Sequence, residues 1–432
     1  MSEESKIHTD ILEENRVNYK ETIDNGLVVR RQHNIAFAPH RNYVATTSPT
    51  PDFRPVLPPP IEIEISLSAS DYVDGHTSWL TFDLTTNKEG DADFSFGNGS
   101  AMNWIKDIKV IGADGQVIDD LSDANLFMTF RDRWTKSSGY FDTDNESVSE
   151  LKGYGVLGAD GLDNGYACPL NELLPLFNYD GLLPSNLVNG MRFLITMAPP
   201  YEMLKAVTGY GGAPDVNYTI SNLKVMLDTY TMDYRLQELI SKDVQVIEYQ
   251  TYKTQKTPYA GKELNLSLQY AVSRASQAFV VTKSVSTGGT GTTIGRDNLI
   301  YDFMAGEDTI DLEEYRWRIG NMYQPNVPIQ NVTDTFAHAL TVWRKFSTNV
   351  GNVGISPSSF IQYQNCFCVN LRRAGGGTPI NNGNECTLQL IHDTTLKREA
   401  VMFCQYTKKI AIDPVSSEEE TVGLKNRIAI FE

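Results

Sequence analysis

Histidines, cysteines and paired carboxylates are the side chains from which this sequence could assemble a catalytic or metal centre, and their spacing forms none. The six histidines, His8, His33, His40, His76, His338 and His392, show no HxH or HExxH pattern, so no pair is set out to share a zinc ion. His338 stands between Phe336 and Leu340 in a helical pattern, where a hydrogen-bonded structural role outweighs that of a general base. The five cysteines, Cys168, Cys366, Cys368, Cys386 and Cys404, contain no CxxC and are odd in number. That count gives neither a disulfide framework nor a zinc ribbon, and buried, reduced thiols are expected. Cys366 and Cys368 lie two apart in a strand pattern, share one face and read as core filling. Asp142, Asp144 and Glu146 alternate as calcium ligands do, but the turn glycine and the distal bidentate glutamate are missing. The stretch GGTGTTIGRDN lacks the GK[ST] of a phosphate cradle, and no G-x-S-x-G elbow is present. The expectation is a chain that is not an enzyme and takes no cofactor or metal.

The elements that would carry any site follow from composition and period. Thirty-seven basic against 54 acidic residues give a net charge of −17 on 432 residues, 41% of them hydrophobic. Such a chain has enough apolar surface to bury a core, and its negative field opposes a groove along a phosphate backbone, so no sequence-specific nucleic-acid binding is expected. No apolar run approaches the ~18 residues of a membrane span, and the start, MSEESKIHTDILEENR, has neither a basic nor an apolar leader region. Synthesis in a cytosol and a soluble product are the expectation. The 21 Tyr, 18 Phe, 32 Gly and 19 Pro favour strands and turns over helical bundles.

Along the chain, residues 1–24 hold seven acids against three bases, whereas 25–60 hold Arg30, Arg31, Arg41 and Arg54 against Asp52 alone and end in a proline-rich run. Prolines cannot serve a central strand, so residues 1–60 are predicted to form an extended N-terminal arm. Its four arginines suit acidic protein patches or anionic lipid headgroups. From Ile61 onward strand alternation dominates: IEIEISL, SWLTFDL, and the hairpin NWIKDIKVIG-ADGQ-VIDD. LSDANLFMTFRDRW then changes to helical spacing, with Ser122 or Asp123 as cap. GYACPL, NELLPLF and LLPSNLVNG read as short strands interrupted by proline, and GMRFLITMA and YTISNLKVMLDTYTM as longer ones. The second half repeats this plan: LNLSLQY, AFVVTK, YRWRIG, a helix at VTDTFAHALTVWRKF, and strands at FIQYQNCFCVNL, NECTLQLIH and AVMFCQYTKKIAI. The predicted fold is all-β: two tandem eight-stranded antiparallel sandwiches with short flanking helices, at 61–233 and 263–432, joined by a connector at 234–262.

In their order these features resemble the double jelly-roll major capsid proteins of icosahedral DNA viruses. The passages that carry the resemblance are IEIEISLSA with SWLTFDL, SAMNWIKDIKVIGADGQVIDDL with its helix, and LLPSNLVNGMRFLITMA. In the second half they are YRWRIGNMYQPNVPI with its helix, then FCVNLRRAGGGTPINNGNECTLQLIH and AVMFCQYTKKIAI. The resemblance implies jelly rolls, a homotrimer with a pseudo-hexagonal outline, contacts to neighbouring capsomers and to penton or minor cement proteins, an internal membrane in some relatives, and residence in the virion. Against it stands a carbohydrate-binding or carbohydrate-active tandem sandwich, in which Trp79, Trp104, Trp134, Trp317 and Trp343 would stack on sugars.

Overall fold

The computed structural model describes residues 41–47, 52–53, 62–69, 71–87, 93–96, 101–135, 156–157, 164–208, 217–231, 245–284, 310–343, 355–362, 365–373, 376–381, 384–412 and 428–431. The first half forms two facing layers. One has the order β1 (Arg41–Thr47), β13 (Asn217–Tyr230), β4 (Tyr72–Asn87), β10 (Leu182–Leu183), with β2 (Asp52–Phe53) added to β13 and β9 (Asn164–Pro169) to β4. The other has the order β3 (Glu62–Ser66), β11 (Arg192–Met197), β6 (Ile105–Ile111), β7 (Val117–Leu121). A small third sheet joins β5 (Asp93–Phe96) to β8 (Val156–Leu157) and β12 (Leu204–Thr208). Alternation sets the inner faces: Ile63 and Ile65 of β3 and Phe193, Ile195 and Met197 of β11 all point into the core. Ile61, expected inward beside them, lies outside the described residues. Phe82 on β4 meets Trp104 edge-on at 5.5 Å, which locks the two layers.

The second half contains β14 (Gln245–Ser267), β15 (Val272–Ser284), β16 (Glu314–Ile319), β17 (Met322–Ile329), β18 (Phe367–Asn370), β19 (Arg372–Arg373), β20 (Gly376–Ile380), β21 (Cys386–Ile412) and β22 (Ile428–Phe431). The 23-residue β14 and the 27-residue β21 run through both layers. Their ends meet in one layer, where residues 386–391 of β21 also pair with β16, and β16 pairs with β17. In the other layer residues 398–406 of β21 pair with β15, and β15 pairs with β18 and β20. Tyr315 on β16 meets Phe367 on β18 at 5.0 Å across the gap. All of these pairings are antiparallel.

The duplication expected from the sequence is visible pairing by pairing. In the first half β1 pairs with β13, β3 with β11, β11 with β6, β6 with β7 and β13 with β4. In the second, the start of β14 pairs with the end of β21, the end of β14 with the start of β21, that start with β16, β16 with β17, and the end of β21 with β15. After each hairpin comes a helix, α1 (Ala124–Thr135) and α2 (Val332–Val342). The Asn331 side chain caps α2 by accepting from Asp334 N at 2.7 Å.

Three local differences from the sequence reading have physical reasons. Residues 41–47, placed in the arm, form β1 at the sheet edge, and 245–261, placed in the connector, form the equivalent part of β14. An edge strand needs only one neighbour, so a short polar sequence such as RNYVATT can serve there. NELLPLF forms helical turns at Leu170–Leu173 and Pro175–Asn178, and SNLV another at Ser185–Val188. Gly75 permits this packing, since a Cβ there would lie 2.2 Å from Phe177 O. Residues 360–362, read as the beginning of a strand, end helix α3 (Pro357–Gln362) instead, which opens on proline and buries Phe360.

Candidate functional site: the junction between the two sandwiches

Helix α1 is where the halves meet. A surface helix buries one stripe, but here the side chains from Ala124 to Phe130, then Asp132 and Trp134, are all buried, because sandwiches cover opposite sides of the helix. From the first half, Phe127 reaches three rings of the second: Tyr252 on β14 at 4.1 Å, Phe403 on β21 at 5.5 Å and Phe279 on β15 at 6.4 Å. One end further, Trp134 stacks on Trp343 at 6.1 Å and 3° and packs against Phe336 and Phe360, each at 6.0 Å. Arg131 anchors the helix to its own sandwich by donating from Nη1 to Glu172 O at 2.5 Å.

A polar network borders this aromatic seam. Asp123, at the positive end of α1, receives Lys106 Nζ at 3.0 Å from its own half and Lys256 Nζ at 2.5 Å from β14. Lys106 also meets Glu202 at 2.5 Å, and Asn125 donates to the same carboxylate at 3.1 Å. Beside it, Thr251 Oγ1 donates to Asp119 Oδ1 at 2.9 Å, Thr254 Oγ1 to Ser122 O at 3.0 Å, and Lys408 Nζ to Ile118 O at 2.5 Å. Burial pushes the Asp119 carboxyl up to about 6 even though Lys408 and Thr251 favour its ionised form. Burial, followed by the nearby charge of Lys106, lowers Lys256 and Lys283 to about 8. Charges held this way fix register more than they add stability, and here they hold one sandwich at a set angle to the other.

The residues with catalytic potential are placed differently. His338 Nδ1 lies 2.9 Å from Tyr315 OH and His392 Nε2 2.7 Å from Tyr259 OH, and burial lowers the pKa of both rings. Each ring is thus held in place by a tyrosine hydroxyl, and His392 Nδ1 also lies 2.6 Å from Asp311 O, the arrangement of structural hydrogen-bonding groups. All five cysteines are buried; burial pushes Cys386 up to about 12 and Cys366 and Cys404 well above the usual thiol value, so thiolate chemistry is suppressed. Among the described residues no three metal-ligating side chains converge. Asp142, Asp144 and Glu146, the stretch at 288–298, and Arg30, Arg31 and Arg54 lie outside the described residues, while Arg41 opens β1 opposite Tyr230. Trp104, Trp134, Trp317 and Trp343 are buried, so four of the five tryptophans offered for sugar stacking are structural.

Sequence reasoning missed the junction. The only available signal was Lys106 and Asp107 inside an otherwise apolar alternation and a second acidic group at VIDDLSD. Charges there imply partners, but Glu202 lies 96 residues from Lys106, and Thr251 lies 132 residues from Asp119.

No protein-family profile matches the sequence, and no curated protein is similar to it at the sequence level. Solved structures are similar over most of the chain. VP54 of PBCV-1, as fitted into a reconstruction of the virophage Sputnik, matches with a TM-score of 0.57 and 11% identity over 91% of this chain and 97% of that one. The major capsid protein of Faustovirus matches with a TM-score of 0.56 and 8% identity over 86% and 90%. The chain has the double jelly-roll fold. A chain of the Sputnik virophage structure agrees as well, at a TM-score of 0.50 and 9% identity over 91% and 92%. In a double jelly roll the two sandwiches must keep one orientation to act as a unit, which is what α1 and its charged border supply.

Proposed function

We propose that this chain is a structural protein, the major capsid protein of an icosahedral DNA virus, which associates as a trimer and tiles a virion shell with other capsid components. The observation that carries the reading is the match over 91% of this chain to a chain of the PBCV-1 virus capsid and over 86% to the Faustovirus major capsid protein, spans that take in both sandwiches. Two equivalent sandwiches per chain, taken three at a time, place six around one axis and give a trimer a nearly hexagonal outline. The N-terminal segment acts as an assembly arm, with Arg30 and Arg31 ahead of β1, Arg41 at its start and Arg54 beyond it contacting acidic neighbours, lipid headgroups or minor proteins. The chain performs no catalysis and binds no cofactor; its chemistry is burial, register and surface complementarity. Size-exclusion chromatography with light scattering tests the reading. A species near three times the 48.3 kDa chain mass is expected, and a fully folded monomer at micromolar concentration would overturn it.

A further inference from the structure

The open side of the second sandwich carries a cleft of about 540 Å³ between edge strand β17 and the β18 to β20 segment of the opposite layer. Met322, Tyr323, Asn326, Asn370, Arg372 and Arg373 line it. We infer that this cleft docks the acidic N-terminal residues 1–24 of a neighbouring copy of the chain, an inference that rests on the self-association proposed above.

Three features of the cleft select this occupant. The first is charge. Arg372 and Arg373 are among the described residues that line it, and no aspartate or glutamate is. Residues 1–24 carry Glu3, Glu4, Asp10, Glu13, Glu14, Glu21 and Asp24 against Lys6, Arg16 and Lys20, a charge complementary to the two arginines. The second is apolar surface. Met322 is 61% exposed and Val327, further along the strand, 75%, and the same N-terminal segment offers Ile7, Ile11, Leu12 and Val17 to cover them. The third is the strand edge itself. β17 pairs with β16 on one side, and Pro325 and Pro328 remove two amide donors from it, which discourages open-ended strand addition and leaves recognition to side chains. Reach is sufficient: the 40 residues before β1 span up to ~130 Å at ~3.3 Å each, more than the width of a neighbouring sandwich.

The test places a photo-crosslinking benzoylphenylalanine at Met322, an exposed position whose replacement disturbs no packing, in the full-length chain. Light and isotopically heavy copies are mixed before assembly, and crosslinked peptides are read by mass spectrometry. Crosslinks between copies, from Met322 to peptides within residues 1–24, are expected; in the R372E/R373E variant they should fall at least tenfold and return when Glu3, Glu4, Glu13 and Glu14 are changed to lysine. If the double variant misfolds, R373E alone, at an exposed position, should give a several-fold loss. Oligomers whose crosslinks run elsewhere, or only within one copy, overturn the docking and leave the capsid reading intact. A chain that stays monomeric overturns that reading itself.

Discussion

Truncating Phe127 to alanine separates the junction from the sandwiches it joins. The ring is 1% exposed and meets Tyr252, Phe279 and Phe403 across the seam, with centroids 4.1 to 6.4 Å away. Removing a buried phenylalanine costs about 3–5 kcal/mol, and aromatic pairs add ~0.5–1.5 kcal/mol beyond burial, so the upper part of that range is expected. Phe82→Ala is the control. That ring is equally buried but packs inside the first sandwich, 5.5 Å from Trp104 and 5.6 Å from Tyr166. Urea unfolding gives the total loss, and amide hydrogen exchange read separately on β4 and on β15 shows where it falls. Phe127→Ala should lower protection on α1, β15 and β21 together, while Phe82→Ala should lower it chiefly in the first sandwich. A loss below ~1 kcal/mol for Phe127→Ala, or one confined to the first sandwich, would refute the role assigned to the helix.

Three further outcomes are expected. Asp119 titrates at about 6 when folded against 3.8 in the unfolded chain, so folding takes up a proton: this stabilisation is complete below pH 3.8 and is lost as pH rises through 6. The difference corresponds to about 3 kcal/mol, and Asp119→Asn should remove it from the pH profile of urea stability between pH 4 and 6; equal slopes in both proteins would contradict the assignment. The buried thiols of Cys366, Cys386 and Cys404 should react with an aromatic disulfide reagent more than ~100-fold slower in the folded than in the denatured protein, and rapid modification without unfolding would show an accessible site. Deleting residues 1–40, which keeps β1, should leave the melting temperature within a few degrees but abolish closed particles in electron micrographs; normal shells from the shortened chain would remove the arm from assembly.

Strand periodicity made most of the sandwiches legible. IEIEISL and RFLITM alternate because one face of each lies on a core, and the hairpin at 105–121 carries its turn chemistry in ADGQ. The order of the longer strands and of the two helices α1 and α2 was readable as well, and that order alone carries the resemblance to capsid proteins. Three things were not readable. Edge strand β1 carries too few apolar residues to show its period. The NELLPLF and α3 helices are set by tertiary packing, Phe177 against Phe193 and Phe360 against Trp134, which overrides local propensity. The junction is spatial: Asp123 and Lys256 lie far apart in sequence and meet only once both sandwiches are formed.

The most direct test of the capsid reading is a cryo-electron microscopy reconstruction of the oligomer formed by the full-length chain. Three chains around one axis, with six sandwiches in a nearly hexagonal ring and α1 buried within each chain, is the expected result. A particle in which the two sandwiches of one chain adopt variable angles, or any oligomer without threefold symmetry, would contradict it.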